Sequence, residues 1–204
     1  MKKIILASSS PRRCALLNQM GIKFDIIPNN IDENNFKNLK GSELVKTLSL
    51  EKAKDIFYKN KDKFENKNLC IIGCDTIVSI EDKILGKPSD KQDALKMLML
   101  LKNNMHTVFT GLTVMGFKDS DFFEETICSS SNVYFSDFSK DELIKYVNTL
   151  EPMDKAGAYG IQGKGGFLIS KIEGDFYSIM GLPLNKLYKM LIKYDFICNT
   201  NVTN

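Results

Sequence analysis

Apolar positions along this chain fall into blocks whose spacing switches between that of strands and that of helices. Ile4-Ile5-Leu6-Ala7 is a short unbroken apolar run and predicts a buried strand. Ser10 reads as a helix N-cap and Pro11 suits the first helical position. Leu16, Leu17 and Met20 then trace one face of a helix that stops at Gly21. Lys23 to Pro28 reads as a second strand and Asn29 to Lys40 as a polar loop carrying Asp32-Glu33. Ser42 reads as the cap of a helix reaching about Tyr58, followed by a solvated Lys/Asn-rich loop from Lys59 to Asn68. On that helix Leu48, Lys52 and Ile56 are spaced i, i+4 and i+8. Lys52 therefore shares a stripe with two apolar residues, either snorkelling at its edge or aimed into a site.

The run from Leu69 to Val78 is nearly continuous in apolar residues, as central strands are, and one carboxylate, Asp75, interrupts it. Burying a lone carboxylate is costly, so Asp75 should be paired, metal-bound or protonated; a structural salt bridge is the alternative to a chemical role. Glu81-Asp82-Lys83 turns the chain into Ile84 to Pro88, which places Lys87 just before a helix N-terminus, a position suited to phosphate. Ser89 with Gln92 reads as a capping box for a helix with Ala94, Met97, Leu98 and Leu101 on one face. Thr107 to Phe117 and Phe122 to Phe135 are long, rich in β-branched and aromatic residues, and separated by a four-residue polar turn, which predicts an antiparallel pair. Ser139 with Glu142 reads as a second capping box, for a helix ending near Leu150. Asp154 to Gly166 holds five glycines in thirteen positions, a loop whose backbone can approach a ligand closely. A last strand from Phe167 to Ile172 and an amphipathic helix through Leu184, Leu187, Tyr188, Leu191 and Ile192 complete the pattern.

Composition narrows the function. At 204 residues the chain suits one large domain or two intimate lobes, and 43% hydrophobic with 26% charged residues is ordinary for a globular protein. The net charge of +3 is mild and no dense basic block appears, so a small polyanion fits better than a nucleic-acid polymer. After Lys2 and Lys3 the apolar run is too short for a signal peptide or a membrane span. Five scattered cysteines with no C-x-x-C pair suggest reduced thiols in the cytoplasm.

Lys and Arg together number 28, yet Arg12 and Arg13 are the only arginines. Two guanidinium groups in a first helical turn oppose the helix dipole unless an oxyanion binds there and reverses the penalty. His106 is the single histidine and reads as structural, which leaves histidine triads and histidine-rich metal sites poorly supported. The remaining equipment is carboxylates, lysines, an arginine pair and glycine-rich backbone. That set suits phosphoryl chemistry, where carboxylates hold Mg²⁺, cations neutralise phosphate oxygens and a base orients the nucleophile. Glu33 and Asp75 are the leading carboxylates, and Arg12, Arg13, Lys52 and Lys87 the leading cations. No G-x-x-x-x-G-K-[ST] motif is present.

These motifs resemble the Maf-like nucleoside triphosphate pyrophosphatases. The resemblance rests on Leu6-Ala7-Ser8-x-Ser10-Pro11-Arg12-Arg13, Asp32-Glu33, Glu51-Lys52-Ala53, Gly73-Cys74-Asp75-Thr76, Lys87-Pro88, the block from Asp154 to Gly163, Gly174-Asp175 and Gly181-Leu182-Pro183-Leu184. It implies an α/β fold of the inosine-triphosphatase type: a long bent mixed sheet flanked by helices, with two lobes and a central cleft in a single domain. Residues 197–204 are expected to be a flexible tail. The resemblance also implies hydrolysis of dTTP or UTP, or of modified pyrimidine triphosphates, to monophosphate and pyrophosphate in house-cleaning of the nucleotide pool. It brings Mg²⁺ or Mn²⁺ as cofactor and a homodimer as the assembly.

Carried onto this sequence, Asp75 is the proton acceptor and a metal ligand, with Glu33 as the second ligand. Ser8, Ser10, Arg13, Lys52 and Lys87 bind phosphates. Arg12, Thr76 and Gln162 match the branch preferring dTTP and UTP rather than the branch acting on 7-methyl-GTP. Two other functions compete with catalysis: a non-catalytic nucleotide-binding regulator of cell division, which needs the cations but not Asp75, and an RNA-binding domain using the lysine excess.

Overall fold

The computed structural model describes residues 2–36, 38–64, 68–81 and 83–198, with the side chains of 61–64 left out. The described strands form one seven-stranded mixed sheet flanked by helices, in the order Asp25–Ile26, Lys2–Leu6, Asn68–Ile80, Met105–Lys118, Asp121–Phe135, Ile169–Glu173, with Lys83–Leu85 paired to Asn68–Ile80. In chain order β1 is Lys2–Leu6, α1 Pro11–Gln19, β2 Asp25–Ile26, α2 Gly41–Phe64, β3 Asn68–Ile80, β4 Lys83–Leu85 and α3 Lys91–Leu101. There follow β5 Met105–Lys118, β6 Asp121–Phe135, α4 Lys140–Asn148, β7 Ile169–Glu173, α5 Phe176–Met180 and α6 Leu184–Lys193. None of the described helices is long and apolar enough to cross a membrane.

The chain divides into two compact units. The first holds Met1–Asp75, Thr110–Ser129 and Gly181–Asn204, and the second Thr76–Phe109 and Ser130–Met180. In the first, β1 pairs in parallel with both β2 and β3, with Leu6 opposite Ile72. Ile5, Ala53, Ile56, Leu69, Ile71 and Met115 pack together there and are almost fully buried. Helix α2 lies close against β3, because Gly73 has no side chain: a Cβ there would collide with the Ser49 carbonyl and stand 2.9 Å from Ala53 Cβ. That approach carries Lys52, between those two helix residues, up to β3.

The second unit has its own core, including Val78, Leu98, Leu101, Val133 and Leu143. Its α4 begins at the capping box read from Ser139 and Glu142, both halves of which form. In the first unit Asp119 and Ser120, both at positive φ, turn β5 into β6, a two-residue connection that only antiparallel neighbours make.

Several boundaries differ from expectation. Helix α2 runs to Phe64, through most of the segment read as a solvated loop, and it opens at Gly41 rather than after a Ser42 cap. Asn60 Nδ2 donates 2.8 Å to the Ile56 carbonyl, so a residue read as a loop former serves the helix. The cap of α3 is Asp90, which accepts from the Asp93 amide at 2.7 Å, not the Ser89 and Gln92 box. Ser89 instead donates its amide, at 2.9 Å, to the Asp93 carboxylate. Ser10 precedes α1 with no side-chain cap bond. Residues 65–67, Asp82 and 199 onward, including most of the expected tail, lie outside the described residues.

His106 is 1% exposed in the second unit. Its Nε2 lies 2.8 Å from Tyr159 Oη, Phe135 packs edge-on against its ring, and Nδ1 has no hydrogen-bond partner among the described residues. Burial pushes the imidazole from 6.5 down to about 4. Because the folded value is depressed, the unfolded chain takes up the proton first as pH falls. The stability tied to neutral His106 is therefore complete above about pH 6.5 and is lost as pH falls towards 4, a loss approaching about 3 kcal/mol. His106→Gln is expected to flatten the fall in unfolding free energy between pH 7 and pH 4 in urea titrations; parallel pH profiles for variant and parent would contradict this.

Candidate functional site

In the first unit the strand-to-helix turn after β1 builds an oxygen-lined clamp. The Ala7 amide still follows the β1–β3 ladder, donating 2.9 Å to the Ile72 carbonyl, so Ser8 leaves the sheet beside Gly73 and Cys74. Ser8 is 5% exposed, and its Oγ accepts both the Ser10 amide at 3.2 Å and Arg13 Nη1 at 3.0 Å. Arg13 Nε donates 2.9 Å to the Gly181 carbonyl, which fixes the guanidinium from its other edge. Asn29 Nδ2 donates 2.7 Å to the Ala7 carbonyl and ties the next loop to this turn. Arg12, one residue earlier on the first turn of α1, is half-buried.

Three charged groups converge on β3. Lys52 Nζ lies 2.5 Å from Asp75 Oδ1 and 2.7 Å from Glu33 Oε1. Lys52 and Asp75 are each 7% exposed, whereas the Glu33 side chain is 57% exposed at the start of a 3-10 turn, Glu33–Phe36. Lys52 is thus neither snorkelling nor solvated. The Cys74 thiol beside Asp75 is pushed up to about 11 by burial, against the opposing pull of Arg13 and Lys52, so it stays protonated at neutral pH and is not a nucleophile.

The geometry also bears on a metal. Two carboxylates aimed at one cationic atom form a hard, all-oxygen donor pair of the kind Mg²⁺ or Mn²⁺ accepts. Among the described residues no three Asp, Glu, His or Cys gather. The pair therefore fits an ion completed by water and phosphate oxygens rather than a closed protein cage.

The other residues singled out in the sequence belong to the second unit. Thr76 follows Asp75 on β3 and is half-buried; Lys87 is exposed in the segment between β4 and α3; Gln162 is exposed in the glycine-rich loop. That loop has two anchors that the motif reading passed over. Glu151 accepts the amides of Lys164 and Gly165, each at 2.9 Å, and Tyr146 Oη donates to it at 3.1 Å. The available signal was a carboxylate just past a helix end and just ahead of a glycine-rich stretch.

A sequence model described as Maf-like protein matches residues 3–194. A protein of Caldicellulosiruptor bescii named dTTP/UTP pyrophosphatase is 44% identical over 196 residues, covering 96% of each chain. One of Acetivibrio thermocellus with the same name is 44% identical over 193 residues, 94% of each chain. Another of Clostridium botulinum, again with that name, is 45% identical over 195 residues, 95% of this chain and 97% of its own.

Proposed function

We propose that this chain, which belongs to the Maf-like family, is a nucleoside triphosphate pyrophosphatase that hydrolyses dTTP and UTP to the monophosphate and pyrophosphate. The observation that carries this reading is the ion triad in which Lys52 Nζ is shared between Asp75 and Glu33, its Asp75 on the strand that pairs with β1, which leads into the Ser8 and Arg13 clamp. Relatives at 44% identity bearing that enzyme name support the pyrimidine substrate.

In this reading Asp75 accepts the proton of the water that attacks the α-phosphorus. A divalent cation held by Glu33 and Asp75 would supply charge neutralisation for the triphosphate and acidify water in its field. Ser8, Ser10, Arg13 and Lys52 bind phosphate oxygens. Arg13 brings a delocalised guanidinium charge and Lys52 a point charge, so the developing negative charge meets cations already ordered by protein contacts. Substrate entry would reorganise the triad: Lys52 exchanges a carboxylate partner for a phosphate oxygen, which frees carboxylate lone pairs for the cation. Lys87 takes a phosphate, and Arg12, Thr76 and Gln162 read the base, roles that follow the family motif. Mg²⁺ or Mn²⁺ dependence and a homodimer belong to the same reading and rest on that motif, and a cytoplasmic location rests on the cysteine usage.

Pyrophosphate release from dTTP, UTP, CTP, GTP and 7-methyl-GTP with Mg²⁺ tests the proposal. Preference for dTTP and UTP is expected; no release from any of them would favour a non-catalytic nucleotide-binding regulator. Arg12→Ala is expected to change the order of preference more than overall turnover, and a uniform loss over all nucleotides would contradict a base-reading role.

A further inference from the structure

In the second unit the glycine-rich loop is not held by its own turns alone. Tyr146, on α4 and 2% exposed, accepts the Gly160 amide on its hydroxyl at 3.3 Å and donates that hydroxyl to Glu151 Oε1 at 3.1 Å. The same Oε1 accepts the Gly165 amide and Oε2 the Lys164 amide, both at 2.9 Å. Lys155 Nζ bonds the Glu151 carbonyl at 2.7 Å and steadies the residue from behind. The two anchor points thus flank Gln162: Gly160 on one side, Lys164 and Gly165 on the other.

The loop's sequence is fitted to this carboxylate. A Cβ at Gly165 would collide with Tyr146 Oη, and one at Gly163, where φ is +92°, would stand 2.9 Å from Glu151 Oε2. Burial raises the Glu151 carboxyl, but the Lys164 and Gly165 amides, the Tyr146 hydroxyl and Lys155 outweigh it and hold the group below the usual carboxylate range. An ionised carboxylate offers lone pairs to every donor here, whereas a carboxamide would turn its NH₂ towards a backbone N–H and leave one amide without an acceptor.

We propose that Glu151 is a positioning residue for base selection, its carboxylate clasping the loop on both sides of Gln162 so that Gln162 meets the nucleobase in one fixed arrangement. This rests on the base-reading role given to Gln162 above. Glu151 acts through the loop, not on the reacting atoms.

The test compares kcat/KM for UTP and CTP in the full chain and in Glu151→Gln, Tyr146→Phe, Gln162→Ala and the Glu151→Gln/Gln162→Ala double variant. Loss of one charged hydrogen bond predicts that Glu151→Gln lowers the UTP to CTP ratio about tenfold, chiefly through KM for UTP. Tyr146→Phe, which keeps the ring in its packing, is expected to lower the ratio in the same direction by less, and serves if Glu151→Gln fails to fold. The double variant should discriminate no worse than Gln162→Ala alone. Amide exchange at Lys164 and Gly165 should quicken in Glu151→Gln. An unchanged ratio in Glu151→Gln, or in Tyr146→Phe if that is the variant that folds, while Gln162→Ala lowers it, would overturn the clasp and leave the reading of Gln162 standing. Additive losses in the double variant would also overturn it. An unchanged ratio in Gln162→Ala would overturn the base-reading role itself, and the clasp with it.

Discussion

Asp75→Asn is expected to lower turnover of dTTP and UTP by about 10²-fold or more while the protein stays folded. The substitution keeps the shape of the side chain and removes its negative charge and its capacity to take a proton. Asp75 sits on the central strand β3 and is 7% exposed, so its carboxylate is held in one place by the strand and by Lys52. Its partner Lys52 keeps a counter-charge after the change, because Glu33 Oε1 lies 2.7 Å from the same ammonium. The thermal midpoint should therefore move by only a few degrees, which separates a chemical defect from a folding one. Turnover within a few-fold of the parent, at matched stability, would remove Asp75 from the chemistry.

Lys52→Met carries the largest expected cost in stability. Lys52 and Asp75 form a buried ion pair, their side chains each 9% exposed, and removal of one partner strands the other charge in the interior, which costs about 3–5 kcal/mol. Met fills much of the lysine stem, so the loss comes from the charge rather than from a cavity. Activity should fall too, since a cation assigned to phosphate is gone. The double variant Lys52→Met/Asp75→Asn should recover a large part of the stability lost in Lys52→Met, because neither charge then remains buried alone. Urea unfolding of the four proteins measures this coupling, and an unchanged midpoint in Lys52→Met would show that the pair contributes nothing net.

Which parts of this arrangement were readable from the chain follows from how local their causes are. The nearly continuous apolar run that Asp75 interrupts signals a buried strand and a carboxylate in need of a partner, and the helical stripe through Leu48, Lys52 and Ile56 signals an ammonium on a burying face. That these two meet depends on Gly73 letting α2 approach β3, a packing event no periodicity encodes. Glu33 completes the triad from a polar loop whose path is set by distant bonds such as Asn30 to Asp55 and Asn29 to Ala7. The Ser139 box was readable because its two halves are three residues apart. At α3 several capping residues stand in a row, and the sequence alone does not rank Ser89 against Asp90 when each has an acceptor or donor three or four positions on. The end of α2 was misread because lysine and asparagine suggest solvent, while lysine is also a good helix former. For Glu151 the sequence offers its place between a helix end and a glycine-rich stretch, but not its partners, which are amides of a loop thirteen and fourteen residues away, and backbone donors carry no residue signature.

The central claim is cleavage between the α- and β-phosphates by water activated at Asp75. Incubating the protein with UTP and Mg²⁺ in isotopically heavy water, and identifying the products by mass spectrometry, tests it most directly. The account predicts UMP carrying the heavy oxygen together with unlabelled pyrophosphate; UDP with labelled orthophosphate, or intact UTP, would contradict it.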